Sequence, residues 1–309
     1  MIDDAVGKHT DGGPGQGSPS ILHFAGFSYW TASLLPALVG TTLPFWLRPP
    51  GFSFTWPGAI EFFIATVLFH SGFSLLQAHL ENRSTAAWPG SRLLGIAGVC
   101  LVGGCLLGVH LDSSLTLHKG VPRSIFIVYG LSVLFVGVLY VLPPFNFCQR
   151  AGGEVVISEA MGLIPVLGAY VVQVGDLTRT VYLASGPLVV ATALWVWMDE
   201  LITRTDDEKV GRQTMVILFG PSFSARFITL ALSIGFYAAF FLAAFASSIS
   251  WWAVLIVVLS FGLVRRIVVV SWKEYNSMPR LIEARKKAFA LHLATSLIIA
   301  ATSLTAARS

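Results

Sequence analysis

The residues best suited to chemistry are concentrated in one charged stretch of an otherwise apolar chain. The sequence from Trp195 to Gly220, WVWMDELITRTDDEKVGRQTMVILFG, leaves an apolar run, becomes densely charged and returns to apolar sequence. Only 12% of the chain is charged, so such a cluster is unusual here. Carboxylates at the mouth of a membrane helix are costly unless they face water, a partner or a metal ion. A solvated connecting loop is the simpler interpretation of the same residues.

Membrane helices are the elements that must position this cluster. The chain has 309 residues, of which 55% are hydrophobic, and its mean hydropathy is +0.74. These values exclude an ordinary soluble domain and predict an all-α polytopic integral membrane protein. Nine apolar runs are long enough, or nearly so, to cross a bilayer as helices. They are 22–46, 57–80, 91–111, 124–142, 152–174, 180–200, 226–245, 249–270 and 286–306.

Further features of the sequence restrict the kind of membrane protein. Residues 1–20 are polar and rich in Gly, Pro and Ser, which predicts a disordered cytoplasmic tail before one transmembrane domain over 21–309. No signal peptide is expected. Cys100, Cys105 and Cys148 lie in or beside apolar runs and are expected to be buried thiols. The net charge of +4 favours basic loops facing anionic membrane lipids over nucleic-acid binding.

Loop charges predict the orientation of the chain in the membrane. All but five of the 20 lysine and arginine residues lie in the tail or in the loops after the second, fourth, sixth and eighth runs. Basic loops stay on the cytoplasmic side. The sequence therefore predicts a cytoplasmic N-terminus and an outside C-terminus, in a membrane such as the bacterial inner membrane.

The stretch over 140–175, YVLPPFNFCQRAGGEVVISEAMGLIPVLGAYVVQVG, resembles the UbiA superfamily of intramembrane prenyltransferases, and within it the branch that acts on dihydroxynaphthoate. Segments 28–40 (SYWTASLLPALVG) and 211–220 (GRQTMVILFG) add to the resemblance. The family shows a tyrosine, a Pro-Pro pair, an Arg-Gly-x-Gly-Glu turn and a Gly-x-Tyr-x-Val-Gln helix end. The matching residues here are Tyr140, Pro143, Pro144, Arg150, Gly153, Glu154, Gly168, Tyr170, Val172 and Gln173.

This resemblance implies a ring of nine helices around a central cavity open to the membrane. A prenyl diphosphate would bind with its head at two Asp-rich motifs, where Mg²⁺ bridges the leaving diphosphate to carboxylates. A lipophilic aromatic acceptor of the quinone-precursor type would then attack the allylic carbon, shielded from water.

The two motifs depart from the family pattern. The first normally reads Asn-Asp-x-x-Asp with a further Asp, whereas this chain has Gln77, Ala78, Glu81 and Thr85 at those positions. The second normally has two acids spaced by four, which here fall on Thr203 and Asp207. By resemblance the expected catalytic acids are Glu81 and Asp207, and the expected Mg²⁺ ligands are Glu81, Asp199, Asp206 and Asp207.

Two roles are possible for several of the other expected site residues. Arg83 and Arg92 either pair with diphosphate oxygens or anchor the chain at the membrane surface. Tyr140 and Tyr170 either line the acceptor cavity or pack helices. By resemblance the substrate-binding set is Gln77, Arg83, Arg92, Tyr140, Tyr170 and Arg212.

The turn before the fifth run carries a charge of each sign. Arg150 and Glu154 are expected to pair there and to fix the start of that helix, since an unpaired glutamate so close to lipid would be expensive.

Two classes of function remain open at this point. The first is an enzyme, either a prenyltransferase or a UbiA-type terpene cyclase. The second is a non-catalytic membrane subunit or lipid- or quinone-binding protein that kept the fold. The losses at Ala78 and Thr85 favour the second class, and the acids around Asp207 favour the first.

Overall fold

The chain is built from helices that follow its apolar runs. The computed structural model describes residues 20–26, 29–83, 85–119 and 123–305, and no β-strand occurs in these ranges. The expected tail, residues 1–20, lies outside the described ranges except for Ser20. The helices are α1 (Ile21–Phe24), α2 (Trp30–Leu47), α3 (Trp56–Leu80), α4 (Gly90–Lys119), α5 (Arg123–Val141), α6 (Gly153–Gly162), α7 (Ile164–Val174), α8 (Arg179–Lys209), α9 (Met215–Phe219), α10 (Pro221–Phe223), α11 (Thr229–Phe245), α12 (Leu255–Lys273) and α13 (Met278–Thr305).

Seven helical stretches in the described residues are long and apolar enough to cross a membrane. The two other predicted spans are 22–46, which falls on α1 and α2, and 124–142, which falls on α5; within the described residues, α5 contributes the shorter apolar helix Ile127–Val141. The prediction of an all-α integral membrane protein is therefore confirmed, whereas the count of nine spans is not. The seven are Trp56–Leu80, Gly90–Leu117, Gly153–Val174, Arg179–Lys209, Pro221–Phe245, Trp251–Lys273 and Met278–Thr305.

The span Gly153–Val174 consists of two helices, α6 and α7, with a break at Leu163. Pro165 lies in the first turn of α7, where its missing N–H is tolerated, whereas its ring disfavours a continuous helix through the preceding turn. The break allows α7 to lie directly against α2. A Cβ atom placed on Gly40 of α2 would be 2.1 Å from the carbonyl oxygen of Val166.

The main apolar core lies on one side of the molecule. Buried side chains of α2, α7, α8, α11, α12 and α13 form one continuous cluster, which includes Leu188, Met198 and Phe236. Within it His292 of α13 is hydrogen-bonded through Nδ1 to Thr192 of α8, at 3.0 Å. A nine-helix ring is not confirmed; the described parts of α11, α12 and α13 belong to this core and do not line the cavity reported below.

The close approach of α2 and α7 yields a stability prediction. Gly40→Ala should force the two backbones apart, so we expect the melting temperature of the detergent-purified protein to fall by roughly 2–10 °C. Gly95→Ala on α4 is the matched control, because a Cβ there meets nothing within 4 Å. Equal melting temperatures for the two variants would contradict the packing described here.

Candidate active site

A large apolar cavity of about 800 Å³ lies beside the packed core. Its wall is formed by α1 to α8, and among the described residues α11, α12 and α13 contribute nothing to it. Most of the wall is aliphatic and aromatic, whereas one end is polar. The side chains at that end are Gln77, Arg83, Tyr140, Asp199 and Glu200.

The cavity is open on the side of α4 and α5. Val109, Ile127 and Leu131 line the cavity, and each is more than half exposed. These side chains are apolar, as expected for an opening toward the hydrocarbon of a surrounding bilayer.

An ion-pair cluster centred on Arg212 lies beside the polar end. Its Nη2 donates to Glu81 Oε1 at 2.7 Å, and its Nη1 donates to Asp207 Oδ1 at 3.0 Å. Both carboxylates are only 6% exposed, and the guanidinium is 22% exposed. One arginine therefore joins the two acids that stand at the two motif positions, Glu81 after α3 and Asp207 in the last turn of α8.

The turn that carries Arg212 is fixed by backbone bonds. Gly211 has a φ of +76°, a conformation that glycine adopts without strain. The Arg212 N–H donates to the Asp207 carbonyl at 2.9 Å, and the Gln213 N–H donates to the Gln149 carbonyl at 3.0 Å. Hydrogen bonds therefore fix the backbone at Arg212 and at the next residue, and with it the base of the arginine side chain.

The oxygens of both acids have further partners. Gln77 Nε2 donates to Glu81 Oε1 at 3.1 Å, and Arg83 forms an ion pair with Glu81 Oε2. Thr203 Oγ1 donates to Asp207 Oδ2 at 2.6 Å. Thr203, which stands where the family has an acid, is therefore a hydrogen-bond donor to the acid that remains.

The structure brings together some of the expected site residues and separates others. Asp199 lines the cavity but pairs with Arg285 of α13, at 3.0 Å. Asp206 is 63% exposed and pairs with Lys209, so its side chain lies away from that of Asp207. Arg92 is exposed and donates to the Ala87 carbonyl. The cluster thus contains Gln77, Glu81, Arg83, Asp207 and Arg212, without Asp199, Asp206 or Arg92.

The two expected tyrosines have different positions. Tyr140 lines the cavity near its polar end. Tyr170 is 1% exposed in the packed core, where its hydroxyl is hydrogen-bonded to Thr178. Tyr140 therefore lines the cavity, whereas Tyr170 packs between helices.

The expected ion pair between Arg150 and Glu154 is wrong. Glu154 is buried and accepts the N–H of Gly152 at 3.1 Å and that of Met215 at 2.7 Å, whereas the Arg150 side chain is exposed. The free N–H groups at a helix N-terminus can stabilise a buried carboxylate in place of a cation. Glu154 therefore caps the start of α6 and ties it to the start of α9.

The cluster as arranged does not fit a Mg²⁺ ion. Mg²⁺ needs carboxylate oxygens free to enter an octahedral shell. Glu81 is already paired with Arg83 and Arg212, and Asp207 with Arg212 and Thr203; only Glu81 Oε2 has no hydrogen bond within the described residues. Among the described residues there is also no group of three or more His, Cys, Asp and Glu side chains arranged to hold a metal. The described residues therefore provide no assembled Mg²⁺ site.

Five cavity residues are absent from the expected site residues. Tyr29 and Trp195 stack at 5.4 Å between ring centroids, and Ser33 Oγ lies 3.0 Å from His70 Nδ1. The fifth, Glu200, lines the polar end, and its Oε2 has no hydrogen-bond partner in the described part of the chain. Glu200 had a signal in the sequence, its place among the acids of the charged stretch, whereas the other four have the residue types of ordinary membrane helices.

Cys148 lies next to the cluster, and the charge of Glu81 affects the pKa of its thiol. It lines a second, smaller cavity together with Glu81 and Gln77. Burial, and secondly the negative charge of Glu81, raise the pKa of the Cys148 thiol to about 11. For Arg212, burial lowers the guanidinium pKa, but Glu81 and Asp207 more than offset this, so the pKa is raised overall.

The sequence pattern of the UbiA prenyltransferase family matches residues 85–290 of this chain. The chain belongs to the UbiA prenyltransferase family. No curated protein matches it in sequence. This membership confirms the wider resemblance noted in the sequence, and the dihydroxynaphthoate branch is not established by it.

Solved structures share the fold of this UbiA-family protein at low sequence identity. A digeranylgeranylglyceryl phosphate synthase structure has a TM-score of 0.64 at 11% identity and covers 90% of this chain and 94% of its own. The apo UbiA homologue from Aeropyrum pernix K1 has a TM-score of 0.62 at 22% identity, covering 90% and 98%. A UbiA homologue from Archaeoglobus fulgidus bound to GPP and Mg²⁺ has a TM-score of 0.52 at 15% identity, covering 91% and 99%.

The pKa of Cys148 gives a test of the cluster in this UbiA-family protein. In a Cys100→Ala, Cys105→Ala background, alkylation by a small neutral reagent should increase with pH up to about 11, where the thiol ionises. Glu81→Gln removes a negative charge, so it should lower the thiol pKa and speed alkylation at pH 8.5 roughly threefold to tenfold. Glu159→Gln, on α6, is the control. Unchanged alkylation in Glu81→Gln would show that this carboxylate does not act on the thiol.

Proposed function

We propose that this protein is an intramembrane prenyltransferase, which moves an isoprenoid chain from a prenyl diphosphate to a lipophilic aromatic acceptor. The observation that carries the proposal is the apolar cavity of about 800 Å³, which is open between α4 and α5 and ends in a charged, hydrogen-bonding wall. An isoprenoid chain matches the apolar wall, and a charged head group matches the polar end. A fold relative that binds GPP supports the choice of donor class.

The polar end offers a positive and a negative group to this reaction. Arg83 lines the cavity and is 48% exposed, so its guanidinium can donate to diphosphate oxygens as well as to Glu81. Glu200 has a carboxylate oxygen without a partner on the same wall, within the described residues. Glu81 and Asp207 position Arg83 and Arg212 through their ion pairs.

The proposed transfer balances with these groups. The bond between the allylic carbon and the diphosphate oxygen breaks, and its electron pair leaves on the diphosphate. A carbon–carbon bond forms from the acceptor ring to the allylic carbon. The ring proton passes to the carboxylate of Glu200, acting as general base.

The distribution of lysine and arginine among the loops predicts that this end of the cavity faces the cytoplasm.

An aromatic acceptor is supported by the wall near Trp195. The stacked rings of Tyr29 and Trp195 offer a flat surface, and the Ser33–His70 pair offers hydrogen bonds to a hydroxyl or carbonyl group. All four side chains line the cavity. A hydroxylated bicyclic or monocyclic ring satisfies both features at once.

A second candidate function is non-catalytic binding of a lipid or quinone. The bridge through Arg212 favours it, because the acids at both motif positions are already neutralised by arginines. A neutral cluster has less attraction for a diphosphate–metal pair than free carboxylates do. The apolar cavity suits such a ligand equally well.

Prenyl transfer can be measured directly. Protein in nanodiscs should release pyrophosphate from C10 to C20 prenyl diphosphates in the presence of dihydroxynaphthoate or hydroxybenzoate, with Mg²⁺ or with EDTA. Glu200→Gln should lower the rate roughly 10²- to 10⁴-fold, the scale of a general base, at unchanged melting temperature. Glu159→Gln is the matched control, since Glu159 also has an unpartnered oxygen within the described chain but does not line the cavity.

The outcomes of this assay separate the candidates. Release without consumption of the acceptor indicates a terpene cyclase. No release from any donor, together with stabilisation by a quinone, supports the non-catalytic candidate and contradicts the transferase.

Acceptor binding can be tested without turnover. His70→Phe should weaken binding of a hydroxynaphthoate roughly tenfold in titration calorimetry, because a ring hydroxyl loses its partner. Thr66→Val removes a cavity-lining hydroxyl that is bonded to its own helix at Phe62, so it should change affinity little. Equal affinity in wild type and His70→Phe would remove His70 from the site.

A further inference from the structure

One arginine, Arg212, lies between the two acids that stand at the positions of the family's motifs. Glu81 and Asp207 come from elements 126 residues apart in sequence and meet on one guanidinium. We propose that Arg212 is a built-in cation, which takes the role of a divalent metal ion in joining α3 to α8 and makes the polar end of the cavity independent of metal.

The geometry gives Arg212 the properties of a permanent bridge. A guanidinium is charged at every physiological pH and offers two terminal nitrogens in a fixed plane, one for each carboxylate. Its backbone N–H is bonded to the Asp207 carbonyl, so the cation and one of its partners belong to the same turn. The next residue, Gln213, is bonded to Gln149.

Charge balance at the cluster explains why a metal ion is not needed. Glu81 and Asp207 supply two negative charges, and Arg83 and Arg212 supply two positive charges. A divalent ion would have to displace a guanidinium that is covalently tethered and therefore present at high effective concentration. It would also leave that guanidinium largely buried without a partner, which is costly.

This inference concerns the architecture of the cluster and does not rest on the proposed function. It predicts stability and metal binding, both of which are measured without substrate. Failure of prenyl transfer therefore leaves it standing, and detection of transfer does not prove it.

Substitution of Arg212 tests whether a free divalent metal ion can take the place of the guanidinium. Wild-type protein in nanodiscs should melt at the same temperature in EDTA and in 10 mM MgCl₂. Arg212→Gln in EDTA should melt roughly 5–10 °C lower, because two buried carboxylates lose their shared cation. Adding Mg²⁺ or Mn²⁺ should restore at least half of that loss in a saturable, concentration-dependent way.

Three further variants distinguish this rescue from a general effect of metal ions. Arg285→Gln removes another buried arginine, whose partner is the single carboxylate Asp199, so it should melt lower without rescue by metal. Arg212→Gln combined with Glu81→Gln removes the cation and one carboxylate, so rescue should disappear. Arg212→Lys keeps a positive charge and should stay insensitive to metal.

A direct measurement on the wild type keeps the inference testable if Arg212→Gln does not fold. Mn²⁺ titration followed by electron paramagnetic resonance should show no saturable binding to the wild type below 1 mM. Binding that is lost in Asp207→Asn would overturn the inference, as would metal rescue of Arg285→Gln equal to that of Arg212→Gln. A folded Arg212→Gln variant that gains no stability from metal would overturn it as well.

Discussion

The polar end of this membrane protein depends on one guanidinium held between two buried carboxylates. Arg212 satisfies Glu81 at the end of α3 and Asp207 at the end of α8, and neither acid could remain buried in its charged form without such a partner. The same turn is bonded to the segment before α6 through Gln149, and Glu154 extends the connection to α9. Helix ends distant in sequence are thereby joined on one side of the cavity.

The fold class and part of the cluster were predictable from the sequence. Apolar runs give membrane helices because unpaired backbone groups are excluded from hydrocarbon. Resemblance to the family put Glu81, Asp207 and Arg212 in one site, and they do meet. Their mutual pairing was not predictable, because the sequence does not show whether a carboxylate faces a metal, a backbone N–H or an arginine. Glu154 was mispredicted for the same reason: its partners are backbone N–H groups.

The position of the cavity also required tertiary structure. The resemblance implied a ring of nine helices around the cavity, and the sequence did not show which helices line it; the described parts of the last three helices belong to the apolar core and not to the cavity wall. The positions of the helices also depend on contacts such as the close approach of α2 and α7 at Gly40. Such contacts depend on single small residues, whose effect hydropathy averaging does not register.

The opening beside Val109, Ile127 and Leu131 has a kinetic consequence. A ligand that reaches the cavity through this side arrives by lateral diffusion in two dimensions, and its supply depends on its mole fraction in the bilayer rather than on its concentration in water. Half-saturation would then scale with the lipid-to-protein ratio of the preparation. Apparent affinities measured in detergent and in membranes would differ even if every contact inside the cavity were the same.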